Sequence, residues 1–309
     1  MLRAIVLGIV QGLTEFLPIS SSAHLAIVPR LLGYPAPTLS FEILLHFGTL
    51  AAVVTYFARD LWGFVLSLVA PGRLAPGEAA VKRRLLALLV IASVPAAALG
   101  YVLSDWADEQ TSKPLRASIW LVLTTVILIA AELYAKRATA RAVPVTLPEE
   151  EGARQAPATR AEIRQGRGAV SSRARVETAE EEIERLPTAK ALGIGLAQAL
   201  ALIPGTSRSG ITISAGLFQG VSREAAARFS FLLSIPAILG AGILKLPDLA
   251  QASEPTAQLV AGSLAAAVSG FVAVSGLLRL LRTRTLWPFI WYRLVAGSIF
   301  VLLLSTVRG

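Results

Sequence analysis

Two polar segments interrupt an otherwise apolar chain, and they hold the side chains best suited to chemistry. The first, residues 11–24 (QGLTEFLPISSSAH), carries the carboxylate Glu15, three adjacent serines and His24. The second, residues 204–212 (PGTSRSGIT), carries Arg208 among hydroxyl side chains. Ionisable groups at membrane depth are costly and usually mark sites of catalysis or transport. If the segments meet in space, they predict one functional site.

Each segment predicts a helix, a turn and a second short helix. In the first segment, Gln11 and Glu15 share one helix face because they are four residues apart, and Pro18 ends that helix. The three serines Ser20, Ser21 and Ser22 then supply caps for a helix that carries His24 in its first turn. In the second segment Pro204 and Gly205 form the turn, Thr206 and Ser207 supply caps, and Arg208, Ser209 and Thr212 lie in the first turns of the next helix.

These residue types suit a phosphate or a diphosphate. Helix N-termini present free N–H groups and the positive end of the helix dipole, so each is an anion site. Arg208 would clamp the anion in a bidentate manner. Glu15 would act as a base or help to hold a divalent cation, which prefers oxygen ligands. The attacking atom would come from His24 or from a serine, Ser21 rather than Ser20.

Structural roles remain open for several of these residues. Ser22 and Ser209 are as well suited to bonding backbone or bridging helices as to binding substrate. Glu15 and Arg208 would also form a purely structural ion pair, and His24 a structural hydrogen bond. His46, within an apolar run, would either line the site or pack, and Glu42, one turn earlier, is equally open.

Composition places the chain among polytopic membrane proteins. It has 309 residues, of which 54% are hydrophobic and 16% are charged, whereas soluble domains are about 25% charged. The chain has no cysteine, which excludes disulfides, thiol nucleophiles and thiolate metal sites. The net charge of +9 does not indicate nucleic acid, because basic residues of membrane proteins concentrate in cytoplasmic loops and no aromatic-rich basic stripe accompanies them here.

The apolar runs predict an all-α fold with six transmembrane helices and two re-entrant helical hairpins. Two further helical stretches, near 2–17 and 191–203, are too short to span, and with their turns they read as hairpins sheltered by protein. A mixed-charge connection, 136–190, separates residues 1–135 from residues 191–309, and we expect a short helix in it near 177–186. The predicted spans are 41–58, 84–104, 116–135, 226–246, 256–279 and 287–307.

Charge and an internal repeat set the expected topology. The basic connections 59–84, 136–190 and 279–284 fall on one side if the spans alternate, and the positive-inside rule makes that side cytoplasmic. Gln11 and Gln198 are 187 residues apart and begin similar segments, and three spans follow each. The hairpins would then enter from opposite faces, as in an inverted repeat, which places sites near the midplane.

The two motifs together resemble the undecaprenyl pyrophosphate phosphatases, the bacitracin-resistance membrane family. The resemblance also covers FEILLHFGTL and FLLSIPA, and extends over the chain except 136–190. Two departures are visible, since Gln11 stands where many members have glutamate and Ser22-Ala23 replaces a commoner Thr-Gly. The family's Glu/Gln-x-x-x-Glu, serine and histidine pattern falls on Gln11, Glu15, Ser20, Ser21 and His24, and its PGxSRSxxT motif on Pro204, Gly205, Ser207, Arg208, Ser209 and Thr212.

The resemblance implies an enzyme of the bacterial plasma membrane. It would hydrolyse the C55 isoprenoid diphosphate to the monophosphate and phosphate, which recycles the lipid carrier for peptidoglycan precursors and confers bacitracin resistance. It also implies a divalent cation such as Mg²⁺ or Ca²⁺, a homodimer and a site open to the extracytoplasmic face. The missing carboxylate at Gln11 shifts metal or base work to Glu15.

Two other functions were weighed. A transporter or flippase of polyprenyl phosphates suits the inverted repeat, but a carrier needs no nucleophile, so the serine and histidine cluster favours chemistry. The acid-phosphatase type of lipid phosphatase is excluded, since its paired-histidine and Lys/Arg-Pro signatures are absent and the chain has only two histidines.

Overall fold

The computed structural model describes residues 1–111, 113–142, 178–249 and 254–306, which form helices joined by short connections. No strand occurs within these ranges, in agreement with the predicted all-α fold. Short 3-10 turns lie at Pro71–Arg73 and Ala199–Leu202. The α-helices are α1 (Leu2–Phe16), α2 (Ser21–Leu31), α3 (Leu39–Tyr56), α4 (Ala58–Val69), α5 (Glu78–Val102), α6 (Ser104–Thr111), α7 (Pro114–Leu123), α8 (Thr125–Ala142), α9 (Ala179–Glu184), α10 (Thr188–Gln198), α11 (Arg208–Phe218), α12 (Arg223–Leu244), α13 (Leu246–Leu249), α14 (Thr256–Leu281) and α15 (Trp287–Thr306).

Within the described ranges, six helical segments are long and apolar enough to cross a membrane, as the sequence predicts. One boundary difference is at α5, which begins at Glu78 rather than near 84 because its charged first turns continue the helix beyond the apolar run. The third span, Pro114–Ala138, is interrupted at Thr124, between α7 and α8. The six segments are Leu39–Tyr56, Glu78–Val102, Pro114–Ala138, Arg223–Leu244, Thr256–Leu281 and Trp287–Thr306.

The two predicted helix–turn–helix units are present. In the first, α1 has 15 residues and is followed by the turn 17–20 and by α2. In the second, α10 has 11 residues, continues into the 3-10 turn Ala199–Leu202 and is followed by α11. Helices of these lengths are shorter than the ~20 residues that a bilayer core requires.

Glycines let the first helix of each unit pack closely against a span of the other half of the chain. A Cβ atom added at Gly8 of α1 would lie 2.2 Å from the carbonyl oxygen of Gly262 in α14. A Cβ added at Gly195 of α10 would lie 2.1 Å from the carbonyl oxygen of Ala92 in α5. Small residues at such crossings allow helix backbones to approach in membranes. Both polar turns are therefore held against the opposite half.

The connection 136–190 is only partly as predicted. The short helix expected near 177–186 is α9, and Thr178 and Glu181 close a capping box at its start. Residues 136–142, predicted to belong to the solvated connection, instead continue α8. The proline-rich and glutamate-rich part of the connection lies outside the described residues.

The connections predicted to share one side of the membrane do meet at one end of the bundle. Lys82 Nζ lies 2.7 Å from Glu184 Oε1, and Arg282 Nε lies 2.9 Å from Glu224 Oε1. At the other end, the Thr38 hydroxyl donates to Glu254 Oε1 at 2.7 Å. This grouping agrees with the alternation of the six spans.

Candidate active site

Glu15 joins the two polar segments. It lies in the last turn of α1, and its carboxylate accepts hydrogen bonds from both segments. Oε2 accepts from the Ser21 hydroxyl at 2.7 Å and from the Gln11 amide at 3.1 Å. Oε1 accepts from Arg208 Nη2 at 3.1 Å. The structure therefore brings together Glu15, Ser21 and Arg208, which lie up to 193 positions apart in the chain.

His46 borders the same carboxylate. Its Nε2 atom lies 3.6 Å from Glu15 Oε2, and its Nδ1–H donates to the carbonyl of Glu42 at 2.8 Å. Of the two possibilities left open by the sequence, His46 lines the site rather than packing away from it. Glu42 contributes its carbonyl oxygen to this arrangement.

His24 lies beside the cluster but outside its hydrogen bonds. Its Nδ1 lies 2.7 Å from the carbonyl oxygen of Ser20, and its Nε2 lies 2.7 Å from the hydroxyl of Tyr292. Since a carbonyl only accepts, Nδ1 carries the hydrogen, and the neutral ring accepts from Tyr292 through Nε2. Both ring nitrogens are therefore engaged. Among the described residues, neither Glu15 nor Arg208 bonds His24, and a catalytic role for His24 stays a prediction.

Helices α2 and α11 begin with the same N-cap conformation. Ser20 and Ser207 are the N-caps of α2 and α11, with φ, ψ of 72°, 101° and 70°, 106°. They are the non-glycine residues with positive φ in the described chain. Such conformations are strained and persist only where the surroundings hold them. The cap of α11 is Ser207 alone, so the prediction that Thr206 also caps is wrong; the Thr206 side chain is buried and its hydroxyl has no hydrogen-bond partner in the described structure.

The two turns are bonded to each other. The backbone N–H of Gly205 donates to the Ser22 hydroxyl at 3.1 Å, and the Ser209 hydroxyl donates to the carbonyl of Leu17 at 3.0 Å. Gly205 has φ of +94°, and an added Cβ there would lie 2.0 Å from the carbonyl oxygen of Ala117. Glycine is thus required at this position both for the backbone angle and for the close approach. The bridging role considered for Ser22 and Ser209 is what the structure shows.

Free backbone donors remain at both helix starts. The N–H groups of Ser21 and Ser22 in α2, and of Arg208 and Ser209 in α11, have no hydrogen-bond acceptor among the described residues. Helix N-termini are common sites of anion binding. These four donors and the Arg208 guanidinium are therefore groups of the right type to bind an anion.

Comparison with known proteins identifies the family. The family described as "Bacitracin resistance protein BacA" matches residues 4–299. The chain belongs to this family. A Geobacter sulfurreducens protein named undecaprenyl-diphosphatase is 42% identical over 300 residues, 96% of either chain. Proteins with the same name from Pelobacter propionicus and Thermomicrobium roseum are 38% and 39% identical and cover 99% of this chain, and 98% and 99% of their own length.

This BacA family member is a multi-pass membrane protein, given its six apolar helices. The threonine of the PGxSRSxxT motif, Thr212, bonds the backbone of Arg208 and is not one of the free N–H donors at the helix starts. The Thr212 hydroxyl donates to the Arg208 carbonyl at 2.9 Å and contacts the Ser230 hydroxyl at 2.5 Å. The Ser230 carbonyl in turn accepts from Arg208 Nη1 at 3.2 Å. Thr212 and Ser230 therefore orient the arginine.

Two further residues of the site come from α15 and were not singled out from the sequence. The hydroxyl of Tyr292 bonds His24. Arg293 is fully buried and bonds both turns. An arginine inside the apolar run WPFIWYRLVAGSIF is itself a signal, because a buried cation in a span is costly.

Proposed function

We propose that the chain is the undecaprenyl-diphosphatase of its host membrane. It hydrolyses undecaprenyl diphosphate to undecaprenyl phosphate and inorganic phosphate, which returns the lipid carrier to peptidoglycan synthesis and gives resistance to bacitracin. The observation that carries the proposal is the meeting of Glu15, Ser21 and Arg208 at two helix starts with free N–H groups. A lipid carrier protein would need the anion site but not an activated hydroxyl.

Ser21 is the proposed nucleophile. Its hydroxyl already donates to Glu15 Oε2 at 2.7 Å, so the carboxylate is placed to accept the proton as Oγ attacks the terminal phosphorus. A bond forms between Oγ and phosphorus, and the bond from that phosphorus to the bridging oxygen breaks, which releases undecaprenyl phosphate. The proton that Glu15 accepted passes to the departing undecaprenyl phosphate, which regenerates the carboxylate. Glu15 then takes a proton from water as the water oxygen attacks the phosphorus of the phosphoserine, and the bond from Oγ to phosphorus breaks. The proton on Glu15 returns to Oγ, which restores the hydroxyl as inorganic phosphate is released. His24 is a weaker candidate because Ser20 and Tyr292 occupy both ring nitrogens.

Arg208 is proposed to stabilise the charge on the transferred phosphoryl group. A guanidinium has five N–H donors, and Arg208 uses one for Glu15 and one for the Ser230 carbonyl. The remaining donors are available to phosphoryl oxygens, beside the free N–H groups of α2 and α11. Fixed donors aimed at developing charge in a water-poor site are usually the largest single contribution to catalysis. The substrate-binding set stays a prediction, and we propose that most of its members act by shaping the two turns: Gln11, Ser20, Ser22, Gly205, Thr206, Ser207, Ser209 and Thr212.

A divalent cation, Mg²⁺ or Ca²⁺, fits this site in one way. The described residues contain no group of three or more His, Cys, Asp or Glu side chains placed to hold a metal, so a cage made by the protein alone is not supported. However, the Gln11 side-chain oxygen is buried without a hydrogen-bond partner, on a side chain that also bonds Glu15. Glu15 and Gln11 would hold the cation together with diphosphate oxygens, as Mg²⁺ usually binds. When bound, it would neutralise charge on the diphosphate.

The inverted repeat is supported by matching geometry at a constant offset. The close-packing glycines Gly8 and Gly195, and the strained caps Ser20 and Ser207, are each 187 positions apart. We therefore propose two re-entrant hairpins in a repeat whose halves are residues 1–135 and 191–309, joined by 136–190. The basic end of the bundle would face the cytoplasm and the site would open to the extracytoplasmic side of the plasma membrane.

Phosphate release from farnesyl or undecaprenyl diphosphate by the purified protein tests the function. We expect release by the wild type, and a loss on the order of 1000-fold in Arg208→Ala, because oxyanion donors contribute that much. Arg73→Ala, which removes an exposed arginine from the 3-10 turn Pro71–Arg73, is the matched control and should retain activity. No release by the folded wild type with any divalent cation would refute the proposal.

Orientation can be tested independently, because the chain has no cysteine. Single cysteines can be placed at two exposed positions, Pro35 in the connection before α3 and Gly72 in the basic connection that follows α3 and α4. In intact spheroplasts, a membrane-impermeant maleimide should label Pro35→Cys but not Gly72→Cys. The reverse pattern would overturn the proposed orientation. Cross-linking between copies of the Pro35→Cys protein in detergent would in addition bear on the proposed homodimer.

A further inference from the structure

Arg293 connects the two turns from behind. Its guanidinium is fully buried and makes hydrogen bonds to one carbonyl in each turn, Pro18 at 3.1 Å and Thr206 at 3.4 Å. The other N–H donors of the Arg293 guanidinium bond residues near Thr124, where α7 ends and α8 begins. There it donates to the Leu121 carbonyl at 2.9 Å, and to the hydroxyls of Thr124 and Thr125 at 2.5 and 2.9 Å.

No carboxylate lies beside this cation. Its acceptors are three carbonyl and two hydroxyl oxygens, and the described structure contains no ion pair that includes Arg293. The other largely buried arginines are paired, Arg208 with Glu15, Arg223 with Glu132 and Arg228 with Asp60. Burying a charge without a counterion is expensive, so the bonds to neutral oxygens must fix the group tightly.

The bonded carbonyls stand next to the strained residues. Thr206 directly precedes Ser207, and Pro18 lies two residues before Ser20. Because a trans peptide holds its C=O and N–H in opposite directions, a carbonyl fixed on Arg293 turns the following N–H away from it. Positive φ at a serine persists only if its neighbours hold it. Arg293 is the side chain that bonds the backbone of both turns at these places.

Resting on the proposed function, we infer that Arg293 is a positioning residue for the hydrolysis. The Arg293 guanidinium holds the strained backbone of both turns. In that arrangement the N–H groups of α2 and α11 and the Arg208 guanidinium converge on one phosphoryl group. Arg293 does this without contacting the substrate. Arg293 bonds Pro18 through Nη1 and Leu121 through Nη2. A lysine keeps the charge, but its compact ammonium does not reproduce the separation of these two nitrogens.

The first experiment compares two arginine-to-lysine changes in the full-length protein. For Arg293→Lys we expect kcat for phosphate release from undecaprenyl diphosphate to fall on the order of 100-fold, because displacements of about 1 Å in a site cost that much. KM should change much less. Arg223→Lys is the control, because it alters another arginine of the helix bundle, with a side chain only 20% exposed, that is bonded to Glu132 rather than to the turns. It should lower the thermal unfolding midpoint at least as much and leave kcat within a few-fold.

The second experiment separates backbone positioning from charge and from general instability. Ser207→Gly and Ser207→Ala both remove the capping hydroxyl, but only glycine adopts positive φ without strain. If Arg293 holds the strained backbone, adding Arg293→Lys to Ser207→Gly should lower kcat on the order of 10-fold relative to Ser207→Gly alone. Adding it to Ser207→Ala should lower kcat at least about 100-fold relative to Ser207→Ala alone.

Two results would overturn the inference. One is an Arg293→Lys enzyme whose kcat per folded molecule is within about three-fold of the wild type, which is little beside the ~100-fold of a misplaced site. The other is an equal cost of Arg293→Lys in the glycine and alanine backgrounds. A wild-type protein that releases no phosphate would instead refute the proposed function.

Discussion

Ser22 and Ser209 each bond the turn to which the other belongs. Ser22 accepts from the backbone of the second turn at Gly205, and Ser209 donates to the backbone of the first turn at Leu17. The two serines are 187 positions apart, the same offset as that of the strained caps Ser20 and Ser207. The exchange fixes the two helix starts relative to each other, and so fixes the anion site between them.

Removing either exchanged bond should lower activity through geometry. For Ser22→Ala and Ser209→Ala we expect kcat to fall on the order of 10-fold and the free energy of unfolding to fall by about 1–2 kcal/mol, because a buried partner is left unbonded. Steady-state kinetics and thermal unfolding in detergent measure both quantities. Ser275→Ala, which removes an exposed hydroxyl that bonds within its own helix, is the control. Wild-type kcat in both variants would show that the exchange does not position the site.

The nucleophile can be identified by trapping. With substrate labelled in the terminal phosphate and rapid acid quenching, we expect label on the protein in the wild type and none in Ser21→Ala. His24→Gln should still be labelled, although more slowly, because Ser20 and Tyr292 hold both nitrogens of His24. Label that persists in Ser21→Ala but disappears in His24→Gln would assign the attack to the histidine instead.

The concentration of divalent cation that activity requires should depend on the side chain at position 11. EDTA is expected to abolish phosphate release, and Mg²⁺ or Ca²⁺ to restore it. In Gln11→Glu a second carboxylate would stand one turn from Glu15, and the two like charges favour a bound cation. The Mg²⁺ concentration for half-maximal activity should then fall by about ten-fold, since ligand charge sets affinity for such cations. An unchanged or higher concentration would argue that the cation enters only with the substrate.

Helix contact through glycine should govern stability more than activity. A Cβ at Gly12 would lie 2.0 Å from the Ser269 hydroxyl and 2.5 Å from the Ala266 carbonyl oxygen, so Gly12→Ala forces α1 away from α14. We expect a loss of about 1–3 kcal/mol in unfolding free energy, as for other overpacked sites. Gly276 lies on α14, and a Cβ atom added there would have no atom within 4 Å. Gly276→Ala should therefore be neutral or slightly stabilising. Equal thermal midpoints for the two variants would contradict this account.

Much of the site could be read from spacing. Glu15, Ser21, His24 and Arg208 are predicted to converge, since a short helix ending at a proline turn and a capped second helix recur in both polar segments. In the described structure Glu15 bonds Ser21 and Arg208, whereas His24 bonds Ser20 and Tyr292. Six spans followed from the lengths of the apolar runs. These features depend on local pattern and on bilayer thickness, both of which a sequence records directly.

The partners of individual side chains could not be read in this way. Tyrosine is a residue type common at membrane interfaces, but the hydroxyl of Tyr292 bonds His24, which is 268 positions away in the chain. His46 was equally consistent with packing until α3 placed it 3.6 Å from Glu15 Oε2. Such contacts depend on helix rotation and on the depth at which helices cross, and hydrophobic periodicity constrains neither finely enough.

The sequence by itself thus determined the membrane class, the spans, and the residue types that we propose to bind a phosphoryl group. Only the tertiary structure decided that Ser22 and Ser209 bridge the turns, and that Arg293, without a carboxylate, bonds both of them. The reason is physical. Local propensity specifies each helix start separately, whereas strained backbone at Ser20 and Ser207 is stable only in the packing that the whole chain creates.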